Sequence, residues 1–513
     1  MLNLRGYQQS IFETARNFNT LVVLPTGMGK TAIALRLAMD RLEKFPKSKI
    51  LFLAPTRPLA TQHLETFKEN LPELYAEMQL FTGKVNAAKR EKLWQVSDII
   101  FSTPQCISND LRKGRINLDD VSLLVEDECH RCLKNYDYTY VASSYRKKKD
   151  DARILGLTAS PGSDSSTIKK ICENLNIEKI EIRTRIDEDV KPYIQELDSN
   201  IVRLKFPEEF EIIRKSLEEM CRKKTDELKN RSLLFGPPTK SALIELQAKL
   251  GRAVSSGNKN FNYLRGLSAC AQAIKLHHGI ELIETQGITS LYKYFQSLYE
   301  KADESKATRE ILNNPAFNLA YMETIKLLGK GIEHPKIAKI KEIIAEEIKK
   351  NPKARIIVFN QYRDSVSKII QELNDKGITA KGFIGQTTKK KEVGLSQKDQ
   401  HRILEEFKRG EMNVLVATSI GEEGLDIPEV NCVIFYEPIP SAIRKIQRTG
   451  RTARLMPGKL IILMTQGTRD ESYHWASISK EKKMHAAIKS MKETMDLNNS
   501  IEKEIKENQE KLL

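Results

Sequence analysis

Short, continuous apolar runs recur through the first 190 residues, at positions 20–24, 50–54, 99–102, 123–125 and 154–157. Amphipathic stretches such as 31–44 lie between them, and Pro, Gly or polar turn residues bound most of the runs. A strand that is apolar on both faces has no solvent side. Such strands alternating with helices predict a parallel sheet covered above and below. From about 200 to 330 the pattern shifts to long stretches at helical spacing (210–231, 241–252, 261–278 and 288–302), with Gly236, Pro237 and Pro238 as a break. This predicts an all-helical domain built from hairpins. After His334 and Pro335 the alternation returns, with apolar runs at 355–359, 414–417, 433–436 and 459–465 and helical patterns at 337–350, 364–376 and 397–409. From 481 the chain is rich in Lys and Glu, which predicts an exposed helix or frayed tail. The expected organisation is a first α/β domain over 1–200, a helical insertion over 201–330, a second α/β domain over 331–480 and a tail over 481–513.

Composition narrows what these domains do. The 513 residues are 40% hydrophobic, enough for several cores, which excludes a mostly disordered chain. Lys and Arg number 84 against 68 Asp and Glu, a net +16 that points to a polyanionic partner such as nucleic acid. The opening MLNLRGYQQS has no basic region followed by an apolar one, and no run reaches the roughly 18–20 apolar residues of a bilayer span. Neither export nor a membrane is expected. Of seven cysteines only Cys129 and Cys132 form a C-x-x-C pair, and no second pair completes a zinc site. A reducing, intracellular setting is expected.

Two segments carry chemistry. Leu24-Pro25-Thr26-Gly27-Met28-Gly29-Lys30-Thr31 follows a predicted strand and opens a predicted helix. Glycines let backbone N–H groups approach phosphates, and the helix N-terminus adds a favourable dipole. Lys30 would then reach the β- and γ-phosphates of a bound nucleotide, and the Thr31 hydroxyl would ligate Mg²⁺. Leu24 stands where the phosphate-loop pattern has its first Gly. The second segment is Val125-Glu126-Asp127-Glu128-Cys129-His130, at the end of an apolar run. Carboxylates at the C-terminal end of a parallel strand suit a site there, Asp127 for Mg²⁺ and Glu128 for orienting and deprotonating water. Far downstream, Arg451 and Arg454 lie three apart on one helical face, a spacing that suits guanidiniums aimed at a phosphoryl transition state.

Together, P-T-G-x-G-K-T and D-E-C-H resemble a superfamily 2 nucleic-acid helicase of the DExH type. That resemblance implies two RecA-like parallel-sheet motor domains, and further motifs fall in order. Leu4-Arg5-Gly6-Tyr7-Gln8 resembles the adenine-recognition motif, with Arg5 and Gln8 at the base. Arg57 in A-P-T-R-P-L, Thr82 and Gly83, and Thr103 and Gln105 resemble the strand-contacting motifs of the first lobe. Leu157 to Gly162 resembles the motif that couples hydrolysis to movement. In the second lobe, Val358 to Arg363, with Asn360 and Gln361, resembles motif IV, and Ala417 to Pro428, with Thr418, resembles motif V, Asp426 at the ribose. Gln447 to Arg454 resembles motif VI. The resemblance also implies catalytic roles for His130 and Gln447.

The stretches G-E-E-G-L-D at 421–426, Y-E-P-I-P-S-A-I-R at 436–444 and Q-R-T-G-R-T-A-R at 447–454, with a helical insert, resemble the archaeal Hef family, whose eukaryotic relative is the Fanconi-anaemia group M translocase. The family implies ATP-dependent, 3′ to 5′ remodelling of forks and Holliday junctions in repair, a nucleoid-associated cytoplasmic location, and a sliding-clamp or nuclease partner. The insert would grip branched DNA, through cations such as Lys223, Lys224, Lys229, Arg231 and Lys275; a mixed-charge solvated surface is the alternative. The basic clusters 146–149 and 389–391 leave the same choice. Two departures stand out. Nothing after Arg454 has the E-R-K-x-x-x-D pattern of the family's nuclease module, and Cys129 replaces the usual Ala. D-E-C-H also occurs in viral-RNA sensor helicases, so a double-stranded-RNA-dependent ATPase remains open. So do a non-catalytic branched-DNA-binding protein and a restriction-type translocase subunit.

Overall fold

The computed structural model describes residues 3–72, 75–133, 137–146, 153–162, 164–257, 260–385, 395–418, 427–452 and 457–510. The first lobe is a seven-stranded sheet of β1 (Thr20–Val23), β2 (Lys49–Leu53), β3 (Met78–Phe81), β4 (Ile99–Ser102), β5 (Val121–Asp127), β6 (Arg153–Thr158) and β7 (Lys179–Ile182). The order is β3-β4-β2-β5-β6-β1-β7, and every pairing is parallel. β1, β2, β4 and β5 are buried at every residue, because helices cover both faces and no side chain meets water. The edge strands β3 and β7 are only half buried and carry polar residues.

The second lobe contains β8 (Leu197–Leu204), β9 (Ile356–Phe359), β10 (Ala380–Phe383), β11 (Val414–Ala417), β12 (Cys432–Phe435) and β13 (Gly458–Thr465), ordered β10-β11-β9-β12-β13-β8 and again parallel. β8 corrects the expected boundary at 200. It precedes the insert in sequence yet pairs with β13 along all eight residues, from Leu197↔Gly458 to Leu204↔Thr465. The chain therefore lays down an edge of lobe 2, detours through the helical domain and returns at Pro335. LDSNIVRL hides this because an outer edge strand tolerates polar side chains.

Between the lobes in sequence stand the helices Glu211–Asn230, Lys240–Ser255, Phe261–Thr285, Ile288–Glu300, Lys306–Leu312 and Pro315–Gly329, around a core that includes Leu217, Leu243, Ala273, Ile283, Phe295 and Phe317. Their root on lobe 2 is polar and buried. Lys336 and Asp470 pair at 2.6 Å with neither side chain exposed. Gln286 donates to one oxygen of Glu437 (3.1 Å), and the N–H of Gln361 donates to the other (2.8 Å). Burial pushes the Glu437 carboxyl up to about 7, against the nearby charges of Arg448 and Lys336. The folded chain thus holds this proton more tightly than the unfolded chain, so stability falls as pH rises from the ordinary carboxylate range through about 7. A shift of that size corresponds to roughly 3 kcal/mol. Glu437→Gln is expected to flatten the decline in thermal midpoint between about pH 5.5 and pH 8 relative to wild type. An unchanged pH profile in the variant would remove Glu437 as the source.

The stretch from 481, expected as an exposed helix or tail, belongs to a 42-residue helix, Arg469–Glu510. It leaves lobe 2 and packs on lobe 1, where Met484 and Ile488 enter the core beside Leu175 and Ile180, flanked by Met491 and Met495. Ion pairs flank the seam: Lys179 with Asp496 at 2.7 Å, Lys492 with Glu181 at 3.4 Å and Lys445 with Glu481 at 2.8 Å. Positions 484, 488, 491 and 495 repeat at helical spacing, so a lysine-rich segment conceals an apolar stripe.

Candidate nucleotide site between the lobes

The sheet order puts three strand ends side by side. β6 lies between β1 and β5, so the phosphate loop after β1, the acids at the end of β5 and Thr158 at the end of β6 share one edge. In the loop, Gly27 (φ 87°) and Gly29 (φ 79°) adopt left-handed backbone that a side chain would oppose. At Gly29 a side chain would also collide with the amide of Gln8. The loop runs into the helix Lys30–Lys44, whose first residues are the expected phosphate and metal ligands. Lys30 Nζ donates to the carbonyl of Leu24 at 3.0 Å. Leu24 itself is fully buried in the core beneath the loop, which explains how an apolar residue replaces the first glycine of the pattern.

Gln8 and Tyr7 clasp this loop. The Gln8 amide nitrogen donates to the Met28 carbonyl (3.1 Å) and its oxygen accepts from the Arg5 N–H (2.9 Å), while Tyr7 Oη also donates to Met28 (2.8 Å). The Arg5 guanidinium lies 5.1 Å from the ring centre of Tyr193, which packs 5.8 Å from Tyr7. Tyr193 is a site neighbour that no sequence pattern flags.

Asp127 is buried, and its Oδ2 lies 2.8 Å from Nε2 of His63. Burial alone would raise its carboxyl. The hydrogen bond and charge of His63, the charge of Lys30 and the N–H of Glu128 outweigh that and hold it below the usual range, so it is ionised. Glu128 sits in left-handed backbone (φ 50°, ψ 43°), a costly conformation for a non-glycine residue that turns its carboxyl off the strand axis. Its Oε2 has no hydrogen-bond partner among the described residues and lies 3.3 Å from His130 Nδ1. His130 Nδ1 is also 3.1 Å from the hydroxyl of Thr158, linking the acids to the end of β6. An ionised carboxylate with a helix-start hydroxyl and a phosphate loop fits Mg²⁺, which usually takes one or two carboxylates and substrate phosphates. Glu126, by contrast, is fully buried, its carboxyl oxygens have no hydrogen-bond partner among the described residues, and burial pushes that carboxyl well up. All seven cysteines are free and buried, Cys129 and Cys132 within the lobe 1 core.

Lobe 2 meets this edge through the helix Ala442–Thr449. Ile446 packs against the lobe 1 core, and Thr449 and Gly450 share a cavity of about 410 Å³ with Pro25, Thr26 and Ala159. A Cβ on Gly450 would stand 2.6 Å from the Cβ of Thr26, so the two motifs touch. Gln447 is buried on this helix, and Arg451 is buried in the turn after it, past the helix end at Thr449 rather than on the expected helical face. Arg448 turns away into lobe 2, stacked 4.8 Å from Phe359 and 5.8 Å from Phe435. Arg454 and Asp426 lie outside the described residues, as do 147–149 and 389–391 of the basic clusters.

The expected strand-contacting residues line the same edges of the two sheets, at the ends of β2, β3, β4, β9 and β11. Arg57, Gly83 and Gln105 are exposed, and Thr103 and Gln361 are half-buried. Thr82, Asn360 and Thr418 are buried. The oxygen of Asn360 accepts from the Tyr362 N–H at 2.7 Å, so it shapes its loop rather than facing outward. In the insert, Lys223 pairs with Glu219 at 2.7 Å and Arg231 with Glu227 at 3.1 Å, which makes that helix face mixed in charge.

Residues 5–168 match the family described as DEAD/DEAH box helicase, 335–456 the helicase conserved C-terminal domain, and 209–331 the helical bundle described for an ATP-dependent RNA helicase. The crystal structure of the Pyrococcus furiosus Hef helicase domain is similar over 92% of this chain and 98% of that one, at 44% identity and a TM-score of 0.69. A Methanocaldococcus jannaschii protein named as an ATP-dependent RNA helicase is 42% identical over 493 residues, 96% of this chain and 61% of that protein. The ATP-dependent DNA helicase mph1 of Aspergillus niger is 31% identical over 504 residues, 93% of this chain and 45% of that protein. The chain thus spans about three-fifths or less of the length of these curated relatives. Among the described residues no helix is long and apolar enough to cross a membrane.

Proposed function

This chain belongs to the Hef family of ATP-dependent helicases, and from that premise we propose that it is a DNA helicase or translocase that remodels forked and four-way DNA, moving 3′ to 5′. The observation that carries the motor reading is the contact of Gly450 with Thr26: the arginine helix of one lobe sits on the phosphate loop of the other. Lys30 and the loop N–H groups would hold the phosphates of ATP, and Thr31 and Asp127 would hold Mg²⁺. When bound, that ion supplies positive charge to the phosphate oxygens. Glu128, strained off the strand end, orients water and takes its proton. Arg451, with Arg454, contributes charge to the transferring phosphoryl group from across the gap. Hydrolysis then requires the lobes to be together, and a strand held on both sheet edges is moved when they part.

DNA is favoured by the similarity to mph1, which is named a DNA helicase. A second reading, an RNA-dependent ATPase, rests on the RNA-helicase names of the Methanocaldococcus relative and of the helical bundle. Stalled-fork repair, a clamp or nuclease partner and a nucleoid location are parts of the proposal that follow the family. A panel of forks, Holliday junctions, linear duplex and double-stranded RNA, each assayed for ATPase stimulation, decides between the readings. Forks and junctions are expected to outperform duplex. Stimulation by double-stranded RNA alone would select the second reading, and no turnover with any nucleic acid would leave a binding protein.

Binding without sequence reading rests on phosphates, so affinity for the fork is expected to fall steeply with salt. For about six phosphate contacts the loss is about 10³-fold between roughly 50 and roughly 200 mM salt. Fluorescence anisotropy across that range measures it, and a flat response contradicts a backbone track.

A further inference from the structure

We propose that His63 is a positioning residue that orients the metal-holding carboxylate of Asp127 and couples it to strand contact at the start of its own helix. This rests on the motor reading given above. The helix Arg57–Asn70 begins at the edge where nucleic acid is expected, with Thr56 as its N-cap and Arg57 exposed. Six residues on, roughly 9 Å along the axis, the same helix presents His63 to the interior. The imidazole packs against Phe52 of β2, ring centres 4.4 Å apart and planes tilted by 36°, and Phe52 is itself wedged against Phe67 and Phe101. With that face fixed, Nε2 is left 2.8 Å from Asp127 Oδ2.

A carboxylate that has one oxygen held by a donor can offer the other to a metal in a set direction. Outer-shell partners of this kind govern metal affinity as strongly as some ligands do. Here the partner is carried by a rigid element whose first residue is placed to feel the strand. A small shift of the helix when a strand binds at Arg57 moves the imidazole against Asp127, and by linkage a correctly held metal site favours strand binding. Sequence reading passes over His63 because it follows the strand-contacting motif within a regular helix and has no metal-ligand or catalytic spacing.

The test uses the full chain with Mn²⁺ as probe, titrated in the presence of ADP with and without forked DNA and read by electron paramagnetic resonance. In wild type, forked DNA is expected to tighten Mn²⁺ binding. His63→Leu is expected to weaken Mn²⁺ binding about 10- to 100-fold and to abolish the effect of DNA on it. Its ATPase should lose kcat more than KM for ATP and should recover as Mg²⁺ is raised. His63→Gln keeps an N–H donor of similar reach and is expected to restore both binding and the DNA effect. Should the Leu variant not fold, His63→Met fills the slot beside Phe52 without a donor. Wild-type Mn²⁺ affinity and DNA response in the folded apolar variant would overturn the proposal. So would a Gln variant as impaired as the apolar one with an unchanged melt. Failure of the motor reading shows separately, as a wild-type ATPase that no nucleic acid stimulates.

Discussion

Lys30→Ala is expected to lower nucleic-acid-stimulated ATP turnover by about 10³-fold, the upper end of what a single preorganised electrostatic group contributes, while affinity for forked DNA stays within a few-fold of wild type. The split follows from where the residue sits. Lys30 opens a helix at the end of a glycine loop, held by the Leu24 carbonyl at 3.0 Å and close enough to Asp127 to favour its ionised form. Losing the ammonium removes charge from the phosphates and loosens the ionisation of the acid that would carry Mg²⁺. The exposed residues of the expected strand track, Arg57, Gly83 and Gln105, follow other strands along the sheet edge and are untouched. Steady-state ATPase and fluorescence anisotropy at matched salt measure the two halves. Turnover within tenfold of wild type would remove Lys30 from the reaction, and lost DNA affinity with an intact melt would merge two sites that are kept apart here.

The strands and motifs that were legible in the sequence are those under full burial. β1, β2 and β4 have no residue facing water, so composition alone marks them, and the phosphate loop is marked by glycines whose positive φ the turn demands. What escaped was written at edges and seams. β3 and β7 bury only part of their length and β8 has no fully buried residue, so MQLF, KIEI and LDSNIVRL lack an apolar run. The C-terminal helix was concealed in the same way. Lys482, Lys483, Lys489 and Glu493 face solvent, and Met484 and Ile488 reveal themselves only once lobe 1 offers them a core. Within the site, Lys30, Asp127 and Glu128 carry spacing that chemistry requires. His63 and Tyr193 do not, because they reach the site through the fold, from residues 64 positions before Asp127 and 186 positions after Tyr7. Arg448 teaches the converse. It belongs to the arginine-rich motif, yet its guanidinium lies over Phe359 and Phe435, so it stiffens lobe 2.

That contrast between two arginines of one motif sets the second large effect. Arg451→Ala is expected to lower kcat by about 10³- to 10⁵-fold, the range of an arginine finger supplied across a cleft, with KM for ATP changed little. ATP would be gripped by the loop and helix of lobe 1, whereas Arg451 arrives from lobe 2, one residue beyond the glycine that touches Thr26. Its contribution is therefore concentrated in the transition state, when charge moves onto the bridging and terminal oxygens. Arg451→Lys is expected to restore little, because an ammonium lacks the planar fork that meets two oxygens at once. Arg448→Ala is the control: losing a stacked, fully buried guanidinium should lower the thermal midpoint together with activity, while Arg451→Ala should slow the reaction far more than it shifts the melt. Single-turnover ATPase and thermal melts on the three variants separate these outcomes. If Arg451→Ala hydrolyses ATP at the wild-type rate in the presence of forked DNA, the lobes do not share one reaction, and their contact at Gly450 and Thr26 is packing alone.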